Sequence, residues 1–208
     1  PPAEVARTLS TVALRMGTPA LLRDQGSAVK AVAFSLDGEL ALSGGCATLV
    51  ENTCTKGELT VWNVATTSQI RQLDDHTGWI TSLAFDPTTS QRALSASEDG
   101  FLILWNVETG DLLRRFEGHV GSVNSVVFSA DGQTALSGSD DHSVILWDVS
   151  TARIIRHFTG PTDRVASVAF SPDGQFAAAG SDDSTVWLWS VVTGEVVRGL
   201  TGLTAAIM

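Results

Sequence analysis

The chain has 208 residues, 43% of them hydrophobic, and a net charge of −10. The hydrophobic share excludes a disordered chain, and the acidic balance disfavours a nucleic-acid surface, which is normally basic. No run reaches the roughly 18 apolar residues that cross a bilayer, so no membrane span is expected in this stretch.

A repeat organises the chain. Trp62, Trp105, Trp147 and Trp189 are spaced by 43, 42 and 42 residues. Each follows a short apolar run such as Leu102-Ile103-Leu104 or Val144-Ile145-Leu146. Phe34, Phe85, Phe128 and Phe170 form a second register, spaced by 51, 43 and 42. After three of these Phe residues comes a turn ending in Asp37-Gly38, Asp131-Gly132 or Asp173-Gly174. Asp-Gly between apolar runs marks a hairpin, because Gly accepts positive φ. The second unit carries the longer Asp86-Pro87-Thr88-Thr89-Ser90 instead.

Taken along the chain, residues 1–25 read as the outer strands of a preceding unit. Within them, 3–14 is ambiguous and could be helical. Residues 26–76 form a unit with an insertion at 44–57. Units at 77–119, 120–161 and 162–202 follow, and 203–208 begin another. Within 120–161 the spacing predicts strands near 122–128, 134–138, 143–148 and 153–158. Short strands at regular spacing mean an all-β fold. Their runs are apolar on both faces, so each small sheet must be covered on both sides.

At Gly118-His119 … Leu146-Trp147-Asp148 the sequence resembles the WD40-repeat family. Weaker forms recur at Asp75-His76 … Leu104-Trp105-Asn106, Asp24-Gln25 … Val61-Trp62-Asn63 and Gly160-Pro161 … Leu188-Trp189-Ser190. The resemblance implies a β-propeller with four complete four-stranded blades here and partial blades at both ends. Seven blades, the usual number, would need roughly 290 residues. The chain is therefore read as a section of a longer ring. It also starts at Pro1 and not at Met, which fits a processed secreted chain or a fragment.

The resemblance further implies a hydrogen-bonded tetrad in each blade. Its members are His76, Ser95, Asp99 and Trp105 in the second unit, and His119, Ser137, Asp141 and Trp147 in the third. A buried indole N–H needs an acceptor and a buried imidazole needs both nitrogens paired. The fourth unit keeps Asp183 and Trp189 but has Pro161 and Ala179. The first keeps Ser43 and Trp62 but has Gln25 and Lys56. Those two blades should be weaker or held by packing. A Ser/His/Asp hydrolase would need one accessible triad with an oxyanion hole, and a set recurring at the blade period reads as structural. His142 and His157 show no metal-ligand spacing, and no cofactor or metal is called for.

Ser43 to Trp62 spans 19 residues where Ser95 to Trp105 spans 10, a nine-residue insertion. Both cysteines, Cys46 and Cys54, lie inside it. A disulfide closing an inserted loop is favoured over two free thiols, and it would favour an extracellular or cell-surface setting over a cytoplasmic one.

In WD40 propellers, loops between the second and third strands and between blades open on one face. On that face the resemblance places Trp79, Arg164 and an acidic ring of Glu98, Asp140 and Asp182. Trp79 stands where the third unit has the small Gly121, and either anchors a partner or packs on the insertion. The expected function is a non-catalytic protein–protein interaction scaffold, with a protein or peptide partner that is basic if the acidic ring binds it. The alternative is a structural, self-associating propeller, exported or at the cell surface. An enzyme using a central channel has no catalytic constellation to support it.

Overall fold

The computed structural model describes residues 28–201. They form sixteen strands in four antiparallel sheets, with no helix. Blade 1 holds β1 (Ala31–Phe34), β2 (Leu40–Val50), β3 (Thr53–Asn63) and β4 (Ser68–Leu73). Blade 2 holds β5 (Ile80–Phe85), β6 (Arg92–Ser97), β7 (Leu102–Asn106) and β8 (Leu112–Phe116). Blade 3 holds β9 (Val123–Phe128), β10 (Thr134–Ser139), β11 (Val144–Asp148) and β12 (Ile154–Phe158). Blade 4 holds β13 (Val165–Phe170), β14 (Phe176–Ser181), β15 (Val186–Ser190) and β16 (Val196–Leu200). Gln25 and the partial units at 1–25 and 203–208 lie outside the described residues.

Each strand pairs with the next in sequence, so every blade is a simple meander. The Asp-Gly turns join the first and second strands, and Gly38, Gly132 and Gly174 take φ of 73°, 67° and 70° there. A side chain at those angles would be strained. The serine before each turn ties it: Ser129 Oγ donates to Asp131 Oδ1 at 2.6 Å and accepts from Thr134 N–H at 3.0 Å. In blade 2 the buried Asp86 takes that serine's place and pairs with Arg92.

The core lies between blades. Leu42, Leu59 and Val61 of blade 1 meet Ile80, Ile103 and Trp105 of blade 2. Leu94, Leu104 and Phe116 meet Val126, Ile145 and Trp147 at the next junction. Leu136, Leu146 and Phe158 meet Val168, Ala177 and Trp189 at the third. This is why the strand runs are apolar on both faces: each sheet is sandwiched by its neighbours. The first strands, β1, β5, β9 and β13, pack in succession and form the inner side of the arc.

Polar ties repeat with the blades. Ser82 Oγ accepts from Val126 N–H, and Ser125 Oγ accepts from Val168 N–H, both at 3.2 Å. On the outside, Arg71 donates to Glu108 O at 2.9 Å, Arg114 to Ser150 O at 3.1 Å and Arg156 to Thr193 O at 2.8 Å. Each arginine thus grips the last turn of the following blade. The ring is not closed by the described residues. Leu73, Phe116 and Phe158 end their outer strands buried, whereas Leu200 ends β16 51% exposed.

Candidate functional site

The tetrad residues meet in blades 2 and 3. Trp105 Nε1–H donates to Ser95 Oγ at 2.8 Å, Ser95 Oγ lies 2.8 Å from His76 Nε2, and His76 Nδ1 lies 2.8 Å from Asp99 Oδ2. The matching distances for Trp147–Ser137, Ser137–His119 and His119–Asp141 are 2.7, 2.7 and 2.9 Å. In the arrangement that pairs every polar atom, the serine hydroxyl donates to Nε2 and Nδ1–H donates to the carboxylate. Burial pushes the His119 pKa down, against the opposing pull of the Asp141 charge. Burial also raises the Asp141 pKa. Bonds from the Ser143 hydroxyl and Val120 N–H and the His119 interaction outweigh that and leave it at about 2. Ser95 and Ser137 are fully buried and already accept an indole N–H. A substrate carbonyl cannot reach such a hydroxyl.

The two incomplete blades compensate differently. In blade 1, Trp62 Nε1–H donates to Ser43 Oγ at 2.7 Å, and Lys56 instead pairs with Asp74 at 2.5 Å. In blade 4, Thr162 follows Pro161 and donates both its N–H and its hydroxyl to Asp183 Oδ2, at 2.7 and 3.1 Å. Trp189 Nε1–H turns to Thr159 O at 3.0 Å, and its ring stacks on Trp187 with centroids 6.2 Å apart. Ala179, at the position of Ser95 and Ser137, has no hydroxyl to accept that N–H.

The same bonds build one loop face. Glu98 N–H donates to Trp79 O, Asp140 N–H to Ser122 O and Asp182 N–H to Arg164 O, each at 2.9 Å. In blades 2 to 4 the turn between second and third strands is thereby tied to its own blade's entry segment. The pattern also corrects one alignment: Trp79 matches Ser122, and Gly121 matches Gly78. Both of those glycines press against the tetrad turn, next to Asp99 N and Asp141 N.

The insertion is not a loop. β2 and β3 each run 11 residues and continue the blade as a twisted ribbon, where β6 and β7 run 6 and 5. Glu51 and Asn52 turn it with φ of 50° and 67°, the paired positive angles of a type I′ hairpin. The Cys46–Cys54 disulfide is formed, with Cα atoms 5.9 Å apart. Ladder shifts at Cys46/Thr48 and Thr48/Leu49 bring the two within reach. Gly57 N–H donates to His76 O at 2.9 Å, so the ribbon rises beside the entry to blade 2. Leu49 and Val50 are exposed near its tip.

The three carboxylates do not form a bare acidic ring. Glu98 pairs with Lys30 at 2.7 Å. Arg164 sits between Asp140 and Asp182, 3.2 Å from each, and Asn124 Nδ2 donates to Asp140 at 2.7 Å. Trp79 is half-buried, and Lys30 Nζ lies 4.3 Å from its ring centroid. Spacing pointed to neither Lys30 nor Val120. The latter is 92% exposed in the same face. A visible signal for Val120 was a β-branched apolar residue where the other units have Thr77 and Thr162. Among the described residues, no cluster of three His, Cys, Asp or Glu could hold a metal.

Residues 67–106, 110–148 and 152–190 match the family model described as WD domain, G-beta repeat. The chain belongs to the WD40-repeat family. No curated protein matches the chain. Each matched WD40 stretch begins at the outer strand of one blade and ends at the third strand of the next, as 67–106 covers β4 to β7. The sequence repeat and the sheet are thus offset by one strand, and every WD40 unit staples two blades covalently. WD40 repeats generally mediate protein–protein interaction or scaffolding.

Proposed function

We propose that this protein is a non-catalytic interaction scaffold whose loop face, flanked by the disulfide-braced ribbon, docks a protein or peptide partner. The observation that carries this reading is Val120. Val120 is 92% exposed and its N–H is bonded to Asp141 at 3.0 Å, so the apolar side chain is presented from a fixed backbone. Rigid loops with an exposed apolar residue and an aromatic nearby suit a partner's hot spot. The ribbon tip adds Leu49 and Val50. The buried disulfide accords with an oxidising compartment, an extracellular or cell-surface one.

Affinity capture on the immobilised chain tests this. The same experiment is run on Val120→Asp and on the ribbon variant Leu49→Asp. A protein retained by the wild type and lost from either variant supports docking on this face. No retained protein, or one indifferent to both changes, counts against it.

A second reading is a self-associating structural propeller, in which the exposed Leu49 and Val50 of the ribbon tip meet a second copy. Light scattering at micromolar concentration decides it: a mass of two or more chains supports it and a monomer removes it.

A further inference from the structure

We propose that Trp79 and Glu98 form a subsite for a cationic side chain of a protein partner, which Lys30 occupies in the free protein. This deepens the scaffold reading and rests on the loop face being the docking face. The blades themselves supply the internal comparison. Trp79 corresponds to Ser122 and Arg164, and Lys30 to Thr81, Asn124 and Ala166. Thr81 and Asn124 serve the fold: each bonds the main chain of the next blade, at Val123 O and Val165 O. Lys30 makes no such tie and rises instead to the loop face. Both positions vary from blade to blade, and in blades 1 and 2 the residues that stand there, Lys30 and Trp79, meet in space.

What they make is a cation site. An indole face attracts a cation through its quadrupole, and a carboxylate completes the charge balance. Lys30 Nζ satisfies both, 4.3 Å from the Trp79 centroid and 2.7 Å from Glu98 Oε1. Its hold is weak, because the lysine and glutamate side chains are 41% and 40% exposed and water screens the pair. A flexible ammonium loses rotamer freedom to stay there. A guanidinium brings a planar fork that stacks on the indole and binds Glu98 with two bonds. The chain's net charge of −10 draws such a partner in. Lys30 then acts as a placeholder: it keeps Trp79 covered until a better cation displaces it.

The test uses the whole chain and a synthetic probe, acetyl-Gly-Arg-Gly-amide, with acetyl-Gly-Glu-Gly-amide as control. The Trp79 indole N–H resonance is followed during titration. Lys30→Met keeps the aliphatic stem and removes the charge. It should bind the arginine probe about fivefold tighter than the wild type, the loss of one exposed competing cation. Adding Glu98→Gln to Lys30→Met should remove saturable binding, and the acidic probe should bind neither. Lys30→Gln, whose folding is checked by circular dichroism, gives a second route to the same vacancy. Equal response of wild type and both Lys30 variants, or binding that survives Glu98→Gln, overturns the proposal. Partner capture is scored separately at Val120 and Leu49. A chain that captures a partner without binding the probe loses this subsite alone, and the converse loses the docking reading.

Discussion

Ser137 Oγ stands 2.7 Å from Trp147 Nε1 and 2.7 Å from His119 Nε2, so one buried hydroxyl satisfies two buried rings. That economy makes it fragile. Ser137→Ala leaves an indole N–H and an imidazole nitrogen without partners in a site closed to water. The expected cost is about 2–3 kcal/mol, the penalty of orphaned buried polar groups. Urea unfolding should show it as a lowered midpoint. Ser150→Ala, on an exposed turn, should change stability by less than about 0.5 kcal/mol. Equal effects at the two sites would show that the tetrad is not holding blade 3.

The same tetrad sets the pH dependence. Burial lowers the folded-state pKa of His119 below its ordinary 6.5. The unfolded chain therefore takes up a proton as pH falls through 6.5 while the folded chain resists. Stability is full above that value and declines below it. Asp141, and likewise Asp183 through Thr162 and Thr185 despite burial, sit at about 2, below the ordinary 3.8. Their contribution is present above 3.8 and is lost as pH falls toward 2. Urea midpoints from pH 8 to 3 should fall in two stages. His119→Asn should flatten the first and keep the second; a first stage unchanged in that variant would assign it to another group.

The ribbon should respond to loss of its disulfide more than the blades do. Cys46 and Cys54 are 1% and 5% exposed, which shields the bond from reductant in the folded state. The bridge closes a loop of eight residues' separation. Chain-entropy arguments give a stabilisation of about 2.5 kcal/mol for so short a loop. The double variant Cys46→Ala, Cys54→Ala should lower the unfolding free energy by about that amount, and hydrogen exchange should quicken in residues 44–57 before the blade strands. Uniform exchange acceleration across blade 1 would mean that the disulfide braces the whole sheet.

Much of this was legible in the sequence because a repeat shows its own grammar. Trp spacing and the Asp131-Gly132 turn located the strands of blade 3, since hairpin turns and inter-blade packing are local or periodic demands. The nine extra residues were visible too, but not their shape. A loop and a strand extension have the same length, and only the positive-φ pair Glu51-Asn52 turns the insertion into a ribbon. The acidic ring misled for another reason. Carboxylates at one repeat position are easy to see, whereas their partners differ in residue type: Lys30 and Asn124 share a repeat position but not a charge, and Arg164 stands where blade 2 has Trp79. Thr162 escaped notice likewise, because it replaces a missing histidine from one residue further along the chain.

The arginines of the outer strands did share a period, at 71, 114, 156 and 198, and they yield the last prediction. Arg156 donates from Nη1 to Thr193 O at 2.8 Å and from Nη2 to Val192 O at 3.0 Å. Its stem also fills the space over Gly194, whose φ of 77° and contact with that side chain leave no room for a Cβ. Arg156→Ala therefore loses two bonds to main-chain carbonyls and the cover of a turn, at a cost of about 1–2 kcal/mol. Arg156→Lys should recover little, because one ammonium cannot span two carbonyls as a guanidinium does. Arg198 is exposed on β16 and meets no following blade among the described residues. Arg198→Ala in this chain should cost less than about 0.5 kcal/mol. Thermal and urea unfolding of the three variants provide the measurement. Equal losses at Arg156 and Arg198 would show that the grip on the next blade is not what stabilises these side chains' surroundings.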